Sequence, residues 1–182
     1  MGAVAVDYCV QGEGPPLYMV HGIGSRQVTW DGVIPHIIRY FTCVSYDLRG
    51  HGNSPVPVPP YCLDDLVEDL EALRVKLGHE RIHVVGHSLG GMIGPAYARA
   101  YPDRVCSLGL LSTAAGRSDD EREKLIMLID LMEQEGVAPV LETLLDRWYT
   151  DEFRRARPDV VEQRKRQVID TPTDVFLSVF RI

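Results

Sequence analysis

The chain has 182 residues, 45% hydrophobic and 25% charged, which is enough for one domain, or one and a part, with a sizeable core. A formal charge of −7 and a sequence pI near 5.3 argue against a nucleic-acid partner, because phosphate binding needs clustered Lys and Arg. The four scattered cysteines, Cys9, Cys43, Cys62 and Cys106, have neither zinc-ligand nor CxxC spacing, so reduced thiols, no metal and a cytoplasmic location are expected.

The N-terminal stretch MGAVAVDYCVQGEG carries acids where a signal peptide would need a basic segment followed by an apolar core. Short apolar runs with β-branched residues follow at 3–10 (AVAVDYCV), 16–22 (PLYMVHG), 42–48 (TCVSYDL), 81–87 (RIHVVGH) and 105–112 (VCSLGLLS). Helix-length segments separate the later ones at 27–40, 63–77 and 89–101. Apolar strands without alternation, spaced by helices, predict an α/β fold with a mostly parallel sheet covered on both faces. The first two strands, linked through QGEGPP, are alternatively an edge hairpin. The longest uncharged run, Ile82 to Ala98, contains four glycines, two histidines and a proline and is a poor membrane span, so a soluble protein is expected.

From Asp119 onward the periods are helical only, with Leu125, Leu128, Ile129 and Met132, then Val137, Val140, Leu141, Leu144, Leu145 and Trp148. An all-helical segment after alternating strand and helix reads as a cap over the sheet end or a small helical subdomain. Its apolar stripes are explained by packing, although Leu128, Met132, Leu144, Leu145 and Trp148 would also suit an apolar pocket lining. The basic run EQRKRQ at 162–167, flanked by acids, reads as a solvated helix face. The last segment, DVFLSVFRI, is still on a helical period without a capping glycine, and suggests a chain that is cut rather than finished.

The chemistry concentrates at GHSLG, residues 86–90. A serine hydroxyl is a weak nucleophile and must be presented, deprotonated and relieved of the charge that builds on the substrate oxygen. In a G-x-S-x-G turn the serine occupies a strained bend between strand and helix, and its neighbours must be small; Gly86 and Gly90 meet that need around Ser88, and Gly91 extends it. Leu89 N–H, at the start of the following helix, is one candidate donor to an oxyanion. The loop after the second apolar run offers another: His21 and Gly22 form a tight turn that leaves Ile23 N–H free.

HGIG (His21 to Gly24), DLRGHGNS (Asp47 to Ser54) and GHSLGG (Gly86 to Gly91), in this order and spacing, resemble the α/β-hydrolase family, within it the small soluble esterases, enol-lactonases and carbon-carbon bond hydrolases. The resemblance covers residues 6–116 and implies an α/β-hydrolase core at 1–116 and an incomplete helical cap at 117–182. It also implies Ser88 as nucleophile, Ile23 and Leu89 as oxyanion hole, and His21, Gly22, Gly24, Gly86, His87 and Gly90 as residues that shape the site. No cofactor is implied. Epoxide hydrolases and haloalkane dehalogenases look similar elsewhere but carry an aspartate at the nucleophile position, so Ser88 argues against both.

In this family the triad order is Ser, Asp or Glu, His, and all six histidines here precede Ser88: His21, His36, His51, His79, His83 and His87. The ring of His87 should diverge from its neighbour's oxygen, His21 and His51 should hold loops by hydrogen bonds, and the other three should be structural or exposed. Where some members carry the acid, this sequence reads LLSTAAG, with Ser112 and Thr113 in place of a carboxylate; Asp119 and Asp120 read as N-capping residues. Two explanations compete: the N-terminal part of a longer hydrolase, with acid and histidine beyond residue 182, or a short protein that has lost catalysis. A second polypeptide, or a second copy of the chain, could also complete the sheet. The expected substrate is a small carboxylic ester or lactone, with an enol-lactone of aromatic catabolism first, a simple ester second and a carbon-carbon hydrolase substrate third. The alternative class is a non-catalytic ligand-binding or signalling protein on the same fold.

Overall fold

The computed structural model describes residues 2–113 and 116–182. Five strands, β1 (Tyr8–Gln11), β2 (Pro16–Val20), β3 (Thr42–Tyr46), β4 (Ile82–His87) and β5 (Val105–Leu111), form one sheet in the order β1-β3-β2-β4-β5. β2 pairs in parallel with β3 and β4, and β4 with β5. Strands buried on both faces favour the β-branched and aromatic residues that these segments supply.

β1 does not make the edge hairpin. It lies antiparallel to β3, with Tyr8 opposite Tyr46 and Gln11 opposite Cys43. Both hydrogen-bonding edges of β2 are already occupied by parallel neighbours, so the first strand pairs one position further out. The segment predicted as a helix at 27–40 breaks into a 3-10 turn at Gln27–Trp30 and a single helical turn, α1 (Ile34–Ile37). Gly32 weakens a helix at its centre, and Pro35 lacks the N–H that a continuous helix would need. α2 (Leu63–Lys76) and α3 (Leu89–Ala100) form as expected.

Successive strand residues face opposite sides of the sheet. Tyr18, Val20, Val44, Tyr46 and Val84 turn toward α2 and α3, where they meet Leu66, Leu70, Leu73, Ile93 and Tyr97. Met19 and Cys43 turn the other way, onto Trp30 and Ile34. Truncating a fully buried member such as Leu70 or Ile93 to alanine costs about 2–5 kcal/mol, since the surrounding side chains close the cavity only in part.

Beyond β5 the chain is helical: α4 (Asp119–Glu135), a 3-10 turn at Ala138–Val140, α5 (Leu141–Trp148), α6 (Asp151–Ala156), α7 (Pro158–Asp170) and α8 (Thr173–Phe180). α4 is capped by Ser118, whose hydroxyl accepts from Glu121 N–H while Glu121 reaches back to Ser118 N–H. Asp119 and Asp120 are therefore first-turn residues and not the cap itself. Met132, Val140, Leu144, Val168 and Phe176 join the apolar cluster on the α2–α3 side of the sheet, so the packing is continuous from sheet to helices. Among the described residues β5 is paired on one side only, and Leu110 and Leu111 are 49% and 45% exposed.

The order of the strands places the site. The chain runs from β2 to β3 on one side and then returns to β4 on the other, so the connections diverge above the carboxyl ends of β2 and β4. A crevice opens at such a switch point because the two loops leave in opposite directions. Val20 lies opposite Gly86, which brings His21–Gly24 and His87–Ser88 side by side at that crevice.

Candidate active site

Ser88 sits between β4 and α3 with φ 53° and ψ −115°, a conformation that costs a non-glycine residue about 1–3 kcal/mol. Three bonds hold it there. Ser88 N–H donates to Leu111 O at 2.9 Å, and Ser88 O accepts from Gly91 N–H at 2.9 Å and from Thr113 Oγ1 at 2.7 Å. The bend is tight enough that a methyl group on Gly86 would collide with the Gly90 carbonyl, and one on Gly90 with the Val20 carbonyl. Both collisions are with backbone, which cannot rotate away, so both positions require glycine. Ser88 is half-buried, and its Oγ has no hydrogen-bond partner among the described residues.

Opposite it lies the loop His21–Gly24. A methyl on Gly22 would come within 3.1 Å of Ser88 Cβ and of His87 Nδ1, so loop and serine abut. Three consecutive peptides of this loop are pinned almost completely. Gly22 O accepts from His21 Nδ1 at 2.8 Å and from Ser25 N–H at 3.2 Å. Gly24 N–H donates to His51 Nε2 at 2.9 Å, and the Arg164 guanidinium donates to both Ile23 O and Gly24 O. Of the six polar groups on these peptides, Ile23 N–H alone lacks a partner among the described residues. Leu89 N–H, at the first position of α3, is also without one, as the geometry of a helix N-terminus dictates.

His21 and His51 are fully buried. Each is committed through both ring nitrogens: His21 Nε2 accepts from Leu48 N–H at 2.9 Å, and His51 Nδ1 donates to Arg49 O at 3.0 Å. A nitrogen that accepts from a backbone N–H cannot carry a proton, so both rings are neutral Nδ1–H tautomers. Burial above all pushes each pKa down to about 3, against the hydrogen bonds to Gly22 O and Arg49 O that would raise it, with the Arg164 charge as a smaller contribution. Neither ring has a nitrogen left for Ser88. In the unfolded chain both titrate near 6.5, so between pH 6.5 and 3 the unfolded state binds the extra protons. The stability that these groups contribute is therefore present above about pH 6.5 and lost as pH falls toward 3. Denaturant unfolding is expected to show roughly 2–3 kcal/mol lost per pH unit below pH 6 from these two groups. A curve flat between pH 7 and pH 5 would contradict the burial of neutral rings.

His87 lies with Nδ1 beside Gly22, and no hydrogen bond joins it to Ser88 Oγ. Desolvation, and then the charge of Arg164, lowers its pKa. The remaining histidines are elsewhere: His79 Nδ1 meets Tyr18 OH at 2.8 Å, His83 Nδ1 meets Ser107 Oγ at 2.8 Å, and His36 is exposed on α1. At LLSTAAG the Thr113 hydroxyl is spent on Ser88 O; Ala114 and Ala115 lie outside the described residues. Among the described residues no group of three His, Cys, Asp or Glu side chains is placed to hold a metal ion.

A cavity of about 630 Å³ opens over Ser88, with Ile23 and Leu89 on its wall. Leu144 and Trp148 line it as expected, but Met132 and Leu145 are fully buried in the core cluster and Leu128 packs against that cluster. Met92, Val179 and Phe180 line it instead; helical periodicity identifies an apolar stripe but not which part of the stripe reaches a cavity. Arg117 and Arg147 also face it, and neither guanidinium has an ion-pair or hydrogen-bond partner among the described residues.

The run at 162–167 is only partly solvated. Arg166 is exposed, but Arg164 turns inward, stacks on Trp148 with Cζ 4.5 Å from the ring centroid, and reaches the His21–Gly24 loop. Burial lowers its pKa to about 10. Its helical spacing from Val161 and Val168, both buried, is the sequence signal that places it on the inner face.

The alpha/beta hydrolase fold profile matches residues 15–173, and the chain belongs to that family. It is 30% identical over 177 residues to 3-oxoadipate enol-lactonase 2 of Acinetobacter baylyi, a match covering 96% of this chain and 66% of that relative. A solved hydrolase from Pseudomonas aeruginosa superposes with a TM-score of 0.88 at 29% identity, over 97% of this chain and 67% of that one. The enol-lactonase from Burkholderia xenovorans does so with a TM-score of 0.88 at 26% identity, over 96% and 68%. The chain thus spans 66% of the length of the curated relative. Among the described residues no helix is long and apolar enough to cross a membrane.

Proposed function

We propose that this chain carries the nucleophile and oxyanion hole of a serine hydrolase that cleaves a small carboxylic ester or lactone, with residues 117–182 as its cap. The observation that carries this reading is Ser88: held at a strained bend, its Oγ without a hydrogen-bond partner among the described residues, and sharing one cavity with Ile23 and Leu89. Ser88 Oγ attacks the carbonyl carbon while a base takes its proton. The two free N–H groups receive the negative oxygen of the tetrahedral intermediate; the carbonyl re-forms as the C–O bond to the alcohol breaks and the base returns its proton to the leaving alcohol oxygen, and water, deprotonated by the same base, then hydrolyses the acyl-serine ester.

In this reading the base is a histidine, oriented by a carboxylate, on a segment outside residues 1–182. Support comes from the commitment of His21 and His51 to the loops and from the unpaired edge of β5 with its exposed leucines, where further strands would dock. The guanidinium groups of Arg117 and Arg147, without hydrogen-bond partners among the described residues, outnumber the one carboxylate side chain on the cavity wall, Glu121, and favour an acyl or lactone substrate with a negative group, ahead of a simple neutral ester.

A fluorophosphonate probe tests the reading. Folded residues 1–182 are expected to label at Ser88 far more slowly than the full-length protein that supplies the histidine. Labelling of the 182-residue chain at the rate of an ordinary serine esterase would place the base inside it. Failure of the full-length protein to label would remove the enzyme reading.

A further inference from the structure

We infer that Arg164 is a positioning residue: its guanidinium, donated from α7 to Ile23 O and Gly24 O, holds the loop so that Ile23 N–H points at the reacting carbonyl. The inference rests on the hydrolase reading above and adds a residue of the cap to its machinery.

The neighbouring basic side chains show why Arg164 is unlike an ordinary surface arginine. Arg154 is paired with Glu142 and Asp146, Lys165 with Glu142, and Arg166 with Glu162. Arg164 has no carboxylate partner among the described residues; its donors go to two consecutive backbone carbonyls, and the face of its guanidinium lies on Trp148. A guanidinium partly withdrawn from water without a counter-ion carries a cost, and is retained where its fork fits a rigid acceptor pair.

The acceptor pair here is the part of the loop most able to turn. Gly24 has φ +58° and no side chain to resist rotation of the flanking peptides. Gly22 O is fixed by His21 and Ser25, and Gly24 N–H by His51. The Ile23 and Gly24 carbonyls are fixed by Arg164 alone among the described residues. Without it each of those two peptides keeps only its N–H anchor, Gly24 N–H on His51 and Ser25 N–H on Gly22 O; because Ser25 N–H is also one of the two donors holding the Gly22–Ile23 peptide, the loosening passes to Ile23 N–H, which must lie within hydrogen-bond distance of the oxyanion to act. Trp148 lines the cavity, so the same stack joins the cap wall to the loop.

The test uses the full-length protein with Arg164→Met, Arg164→Lys and Ser88→Ala, and three readouts: ester or lactone turnover, affinity for a boronic acid that forms a tetrahedral adduct with serine, and Trp fluorescence with denaturation as a check of folding. Arg164→Met is expected to lower kcat about 10- to 100-fold with KM changed less than about 3-fold, and to weaken boronate binding by a similar factor. Arg164→Lys, which keeps the charge but cannot span both carbonyls, is expected to recover part of the loss. If the Met variant does not fold, the Lys variant decides, with about a 5-fold fall in kcat expected. A folded variant with wild-type kcat and boronate affinity, beside an inactive Ser88→Ala, overturns the role of Arg164. Full activity in Ser88→Ala would instead sink the hydrolase reading and leave the clamp geometry untouched.

Discussion

On the proposed serine-hydrolase reading, replacement of Ser88 by alanine in the full-length protein is expected to lower kcat/KM for ester or lactone hydrolysis by about 10⁴-fold or more, with the midpoint of unfolding unchanged or raised. The rate loss follows because a methyl group can neither attack a carbonyl nor receive the acyl group, and the oxyanion hole and substrate binding alone retain only a small part of the acceleration. The stability expectation has a separate cause. Ser88 Oγ makes no hydrogen bond among the described residues, so its removal deletes no bond, while the bonds to Leu111, Gly91 and Thr113 that hold the bend all involve the backbone of residue 88 and survive. Steady-state kinetics and a denaturant titration check the two halves together. A variant that is inactive but also unfolded would show that the hydroxyl has a structural role absent here, and one that keeps even a tenth of the activity would show that another nucleophile operates.

Arg49→Ala is expected to destabilise the fold by about 3–5 kcal/mol. Arg49 is 0% exposed and Asp69, which it engages, 1%. Nε and Nη2 donate to the two carboxylate oxygens at 2.6 and 2.7 Å, and Nη2 also donates to Asp65 O at 2.9 Å. Loss of the guanidinium leaves Asp69 as a buried carboxylate with Val4 N–H, at 2.7 Å, as its remaining donor. An uncompensated charge in the interior costs more than the pair was worth, so the single variant should be far worse than a double replacement. Arg49 also lies 3.6 Å from the buried Asp65 carboxylate, which keeps a cost when the guanidinium is lost, so Arg49→Met with Asp69→Leu is expected to recover only part of the loss, and urea unfolding of the set checks this. The pair also has a functional bearing, because the backbone of Arg49 supplies the acceptor for His51, which in turn holds Gly24. Activity should fall with stability in the single variant and return in the double only as far as stability does.

The sequence made the centre of the fold legible and the margins less so. The strand-turn-helix context of GHSLG could be read locally because every requirement is local: an apolar run, a small residue on either side, a helix start. HGIG and DLRGHGNS were legible through their resemblance to the α/β-hydrolase family, which also implied the loop-holding role that the hydrogen bonds of His21 and His51 show. The pairing of β1 was not legible, since it depends on which edges β2 has left, and that is decided by β3 and β4 many residues later. The shortening of α1 was written in Gly32 and Pro35, but apolar periodicity outweighed them. Arg164 is the instructive miss. Composition marked its run as solvated, whereas the spacing from Val161 to Val168 put it on the buried stripe, and only the loop it meets, 140 residues earlier in the chain, explains why a charge is tolerated there.

The outer side of β5 governs how this polypeptide behaves in a test tube. Among the described residues its outer amide and carbonyl groups have no strand partner, and beside Leu110 and Leu111 they form a ready template for any extended strand that drifts past, including the same rim on another molecule. Left uncovered, that rim is expected to make residues 1–182 sticky and prone to precipitate as they are concentrated, so colloidal trouble during purification would report on this edge and not on a faulty core.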